Sequence, residues 1–170
     1  LWESGDELAM IFHQQTGAPH VNKTLVNSEP EPTSARAVFN GRIPVDVDVE
    51  KGYDDLGFAV YPKDAITDDG IYRHALPSVQ VAKSNGSFAS GSNLASAALS
   101  LSDLRKYKSA KTDFRSAMSL LRLNLNPDVA SVTITGTAPL TGSAPLQMYY
   151  NAEDPADENN GRLLVDALGE

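Results

Sequence analysis

From Ile43 to Val49 apolar and acidic residues alternate: Ile43, Val45, Val47 and Val49 share one side of an extended chain, and Asp46, Asp48 and Glu50 share the other. A β-strand turns successive side chains to opposite faces, so the pattern predicts a strand with one face in a core and one in water. Four further runs, Leu8–Phe12, Ala35–Phe39, Leu56–Tyr61 and Ser78–Ala82, are short, apolar and flanked by turn-forming residues, and also predict strands. The alternation is clearest late in the chain. Leu121, Leu123 and Leu125 interleave with Arg122, Asn124 and Asn126, and Val132 and Ile134 interleave with Thr133 and Thr135. Asn126-Pro127-Asp128 supplies turn chemistry between these segments, which are expected to pair as antiparallel strands.

Between Asn93 and Ala117 two periods overlap. Leu94, Ala97, Ala98 and Leu101 fit a helical stripe, whereas Ala95, Ala97, Leu99 and Leu101 fit a strand. Asp113 stands ahead of Phe114, Ala117 and Met118 as an N-cap would, so one short helical turn is expected there, feeding the Leu121 strand. Asn27–Ser34 and Lys83–Asn93 read as exposed loops. Asn151–Gly161 carries Glu153, Asp154, Asp157 and Glu158 around Pro155 and reads as a solvated acidic loop before a last strand, Leu163-Leu164-Val165. Residues 1–150 are expected to form a β-sandwich domain, with 151–170 as its acidic loop and last strand. The fold class is all-β with one short helix and about seven or more mostly antiparallel strands.

A length of 170 residues suits one domain with a substantial core. With no Cys, a disulfide scaffold, a thiolate metal site and a Cys nucleophile are excluded. The 14 basic residues against 22 acidic ones leave a net charge of −8, and no basic cluster tracks a phosphate backbone, so nucleic acid is not expected as a partner. No run nears the ~18 apolar residues that span a bilayer, and no transmembrane segment is expected. The chain begins Leu1-Trp2-Glu3 without Met and reads as a processed or truncated product, from which any targeting segment or lipid anchor would be lost.

There is no G-x-S-x-G elbow, no S-x-x-K pair and no phosphate-cradling glycine loop. His13, His20 and His74 lack the spacing that brings imidazoles to one metal. Asp46, Asp48 and Glu50 lack the turn Gly and terminal Glu of a calcium loop. No catalytic, cofactor-binding or metal residue is assigned, no cofactor is expected, and the chain is not read as an enzyme. Trp2, Tyr149 and Tyr150 are the candidate ligand-contact aromatics, since flat rings suit a sugar face; the competing reading places them in packing. Asn22-Lys23-Thr24 and Asn85-Gly86-Ser87 match the glycosylation acceptor pattern, which short chance matches also satisfy.

Several fragments, taken in order, resemble the fimbrillin family of type V pilus subunits and fimbrillin-like surface lipoproteins, in its N-terminal domain. They are Trp2-Glu3-Ser4-Gly5-Asp6, Ala37-Val38-Phe39-Asn40-Gly41, Phe58-Ala59-Val60-Tyr61-Pro62, Leu76-Pro77 with Gln80, Phe114 through Ala117-Met118-Ser119-Leu120-Leu121-Arg122-Leu123, Val132-Thr133-Ile134-Thr135-Gly136 and Leu140-Thr141-Gly142. The resemblance implies a transthyretin-like β-sandwich, with the family's second sandwich outside this chain. It also implies export to the cell surface, outer membrane or fimbrium of a Gram-negative bacterium, and a lipid anchor and maturation site upstream. The partners it implies are other pilus subunits, joined by β-strand addition, and host or bacterial surface glycans or proteins. The expected function is therefore a structural subunit acting in pilus assembly and cell adhesion. The alternative is a monomeric carbohydrate- or matrix-binding β-sandwich module.

Overall fold

The structure, a computed structural model, describes residues 2–12, 20–29, 35–42, 56–67, 71–81, 88, 92–119, 121–137, 141–151, 153–154 and 156–165. In chain order these residues form β1 (Glu7–Phe12), β2 (His20–Asn27), β3 (Phe39–Asn40), β4 (Leu56–Tyr61), β5 (Tyr72–Leu76), β6 (Ala95–Ser100), α1 (Leu101–Tyr107), β7 (Arg115–Ser116), β8 (Gly142–Met148) and β9 (Leu163–Val165). Six strands make one sheet in the order β3-β2-β1-β4-β6-β7, and three make a second, β5-β8-β9. Every pairing is antiparallel. The protein is thus all-β with one short helix.

β1 and β4 do not alternate apolar with polar, because the larger sheet is buried on both faces. On one face Ala9, Ile11, Phe58, Val60 and Leu94 meet Leu146 and Leu163 of the smaller sheet. On the other, Leu8, Met10, Phe12, Ala59 and Leu99 are covered by Leu101 and Leu104 of α1 and by Trp2, Phe39 and Phe114. Ile11, Phe12, Phe58 and Val60 are all fully buried. Each such side chain contributes about 1.5–3 kcal/mol by leaving water, so these two strands anchor the fold. Between Leu8 and Met10 the partner on β2 advances from Leu25 to Asn22, a bulge that breaks the alternation along β2.

Both periods seen between Asn93 and Ala117 are used in succession, as β6 and then α1. The helix is capped by Ser100, whose hydroxyl accepts from the Asp103 N–H at 3.1 Å. It closes at Lys108, with φ 59°, whose N–H donates to the Leu104 carbonyl at 3.0 Å. The helical turn expected after Asp113 is not formed. There the chain follows β6 instead, and Ala117 N–H donates to the Leu94 carbonyl at 2.8 Å.

Three other expectations are corrected. Of Ala35–Phe39 only Phe39 enters a strand, and residues 78–81 form none. The two segments from Leu121 to Thr135 are exposed and join neither sheet. The turn between them explains this. Val129 N–H donates to the Asn126 carbonyl at 3.0 Å, but neither Pro127 nor Asp128 takes a positive φ. Hairpins of this length favour turns with positive φ at the centre, whose twist matches paired strands; other turns splay them. The Ile43–Val49 strand lies outside the described residues. β2, β5 and β8 were not expected. Pro145 sits within β8, but β9 pairs only with Leu146–Met148, so the proline lies beyond that ladder.

Gly161 brings the loop before β9 against β6. It holds φ +82°, and a Cβ there would stand 2.6 Å from the Ala98 backbone nitrogen. Gly161→Ala therefore combines left-handed strain with overpacking and is expected to cost about 2–4 kcal/mol, read as a lowered urea midpoint at unchanged slope. His74, on the inward face of β5, is buried, and its Nε2 has no hydrogen-bond partner among the described residues. Burial pushes its pKa below the ordinary value. The unfolded chain then takes up a proton that the folded one resists, so stability is present above about pH 6.5 and declines as pH falls through and below it. Urea midpoints between pH 8 and 5 should show this decline, and His74→Phe should flatten it.

Candidate functional site

The N-terminal segment is built around Asp6. Glu3 N–H donates to Asp6 Oδ2 at 2.7 Å, Asp6 N–H donates to the Glu3 carbonyl at 3.1 Å, and Tyr61 OH donates to Asp6 Oδ1 at 3.0 Å. Gly5 takes φ +84° in this turn, where a side chain would be strained. Asn27 ties the turn to β2, its Nδ2 donating to the Glu3 carbonyl at 2.9 Å. Burial, with Asp6 beside it, raises the Tyr61 hydroxyl pKa well above the usual range. The whole arrangement sets Trp2 edge-on to three rings, with centroids 5.0 Å from Phe39, 5.2 Å from Tyr61 and 5.1 Å from Phe114.

The three candidate ligand-contact aromatics occupy different places. Trp2 packs over the outer face of the larger sheet, with the cluster that includes Phe12 and Leu99. Tyr150 packs against the opposite cluster, 6.2 Å from the Phe58 ring. Tyr149 turns to the acidic loop, where its hydroxyl donates to Asp157 Oδ2 at 3.0 Å.

That loop is organised by one carboxylate. Asp157 accepts from Asn159 N–H at 2.8 Å, from Asn159 Nδ2 at 3.0 Å and from Asn151 Nδ2 at 3.1 Å, as well as from Tyr149. These bonds, the Asn159 backbone foremost, hold its pKa down to about 2. Asn160 adds a cross-link, accepting from Asn151 N–H at 2.7 Å and donating to the Asp154 carbonyl at 3.1 Å. The acidic composition of this stretch predicts only a solvated loop. The signal lay in its recurring Asn and Asp, whose side chains bond to backbone two residues on.

A shallow groove of about 260 Å³ lies between the β6 edge and this loop, lined by Ser96, Ala98, Asp113, Arg115, Asp157 and Glu158 among others. Asp157 is committed to holding the loop, which leaves Asp113 and Glu158 as the other carboxylates of the groove, and nothing in their surroundings assigns them acid and base roles. Among the described residues no group of three His, Asp or Glu side chains is placed to hold a metal, and no helix is long and apolar enough to cross a membrane.

The most unusual surface is the arm of residues 121–136. Leu121 is 65% exposed, Leu123 45%, Leu125 53%, Val132 46% and Ile134 52%. Its backbone–backbone hydrogen bonding among the described residues is limited to the Val129–Asn126 turn. Within each half the apolar residues alternate with polar ones, Leu121, Leu123 and Leu125 in the first and Val132 and Ile134 in the second.

Trp2 is held by packing on three sides. Trp2→Ala is expected to destabilise the protein by about 2–3 kcal/mol, somewhat below the range for a fully buried Trp, with Trp2→Phe losing less; urea unfolding measures both. Unchanged stability in Trp2→Ala would show that the ring is not part of the core. Compared with known proteins, the chain matches no family model, no curated sequence and no solved structure.

Proposed function

We propose that this chain is a structural subunit of a bacterial surface fimbria or pilus, acting in assembly and cell adhesion on a transthyretin-like sandwich at the surface of a Gram-negative cell. The observation that supports this reading is the arm of residues 121–136, with its alternating exposed Leu, Val and Ile. A segment whose main chain lies outside both ladders and whose apolar side chains recur with period two is what strand addition needs. Main-chain bonds to an open sheet edge supply affinity, and alternate side-chain pockets supply register.

The magnitudes favour strand addition over simple apolar contact. Five half-exposed aliphatic side chains would release about 1 kcal/mol each on full burial. Their sum barely reaches the lower end of the roughly 4–15 kcal/mol cost of association, so main-chain pairing must add to it.

Sedimentation velocity across a concentration series, together with electron microscopy of the most concentrated sample, tests this reading. Wild type is expected to associate end to end, and the full-length protein to have a cell-surface pool. Replacing Leu121, Leu123 and Leu125 together by Asn is expected to leave the thermal melt unchanged and the protein monomeric. A wild type that stays monomeric throughout, with no surface pool of the full-length protein, contradicts the proposal.

A further inference from the structure

The groove between β6 and the acidic loop holds polar groups that the fold leaves without partners. Asp113, Arg115 and Glu158 line it and are exposed, yet no hydrogen bond or ion pair engages any of their side chains among the described residues. Opposite charges in one concave site are therefore held apart rather than neutralising each other. Ser96 also lines the groove. A Cβ at Gly161 would stand 2.8 Å from the Ala98 Cβ, so Ala98 faces the loop, and Ser96, two residues earlier on β6, faces the same way. Ser96 is only 1% exposed, and its hydroxyl has no partner among the described residues. Native interiors leave few such groups, and this one keeps both a donor and an acceptor available. Other polar walls of the groove are already engaged: Thr112 donates to the Ala98 carbonyl, and Asp157 and Asn160 hold the loop.

The balance of charge selects the ligand. A free anion meets the carboxylates of Asp113, Asp157 and Glu158 against one guanidinium, and among the described residues no group of three side chains is placed to hold a metal ion. A neutral polyol suits all of these groups at once, since each hydroxyl both donates and accepts. It donates to the Asp113 and Glu158 carboxylates and accepts from Arg115, whose planar fork matches two adjacent oxygens. The volume of about 260 Å³ equals that of roughly eight or nine waters at about 30 Å³ each, the scale of one sugar ring. Leu56 and Ala98, both half-buried, offer the C–H face of such a ring a small apolar patch. We infer that this groove binds a single neutral pyranose sugar, gripped by Asp113, Arg115 and Glu158, with one sugar hydroxyl meeting Ser96. None of Trp2, Tyr149 and Tyr150 lines it, so binding rests on hydrogen bonds without ring stacking and is weak, with Kd on the order of 1 mM. None of residues 121–136 lines it either, so the inference stands or falls independently of strand addition.

Two-dimensional amide NMR of the whole folded chain, titrated separately with glucose, galactose and mannose, tests this. At least one sugar is expected to give saturable shifts confined to Ser96, Ala98 and residues 112–115 and 157–161. Arg115→Gln and Glu158→Gln, with melts checked by circular dichroism, are each expected to weaken that binding roughly fivefold or more. Ser96→Ala is expected to weaken it as well without lowering the melting temperature, because the change also removes an unpartnered buried hydroxyl. No saturable shift with any of the three sugars, shifts centred elsewhere on the chain, or saturable shifts with acetate or methylammonium alone each overturns the inference. So does sugar binding that Arg115→Gln and Glu158→Gln leave unchanged.

Discussion

The larger sheet is buried on both faces, and the rest of the structure follows from covering them. β1 and β4 carry apolar side chains up and down alike, so a single layer leaves half of them in water. The smaller sheet covers one face. The other is closed piecemeal, by a seven-residue helix and by rings drawn from distant parts of the chain. The Asp6-centred turn matters for this reason: it places Trp2 where one indole touches Phe39, Tyr61 and Phe114 together.

Polar groups are handled differently at the two layers. Near the acidic loop, donors and acceptors are closely matched around Asp157 and Asn160. In the interior, by contrast, Tyr72 OH and His74 Nε2 of β5 and the Ser92 and Ser96 hydroxyls are buried without partners among the described residues. Such groups weaken an interior by roughly 1–3 kcal/mol each. The sandwich therefore has less reserve at the β5 side than its apolar content suggests, and a neutral His74 is a condition of its stability.

Legibility followed the physics of each element. β1 and β4 were plain because a run of Leu, Met, Ile, Phe and Val has few alternatives to burial. β9 was equally plain. β5 was hidden because its inward positions are Tyr72, His74 and Leu76, two of which carry polar atoms. β8 was hidden because Gly142 and Pro145 imitate a turn, and β2 because its bulge breaks the period. The helix was expected in the right region on the wrong cap: Asp113 and Ser100 both suit the role, and only tertiary pairing of Ala117 with Leu94 decides between them. Of the candidate aromatics, no local signal places Trp2 and Tyr150 on opposite faces of one sheet, since that depends on which strands become neighbours.

The arm from Leu121 to Ile134 shows a strand's pattern without a strand's partner. Its period-two alternation prepares it for pairing, while the Pro127-Asp128 turn does not bring its two halves together. Amide hydrogen exchange of the folded chain, read residue by residue, tests this account most directly. For dilute, monomeric protein it predicts that β1, β4 and β6 amides exchange only by global unfolding and that amides of 121–136 outside the Asn126–Val129 turn exchange close to the rate of an unprotected chain. Arm amides protected in the monomer as strongly as those of β1 would contradict it, because they would place these residues inside a sheet of their own chain.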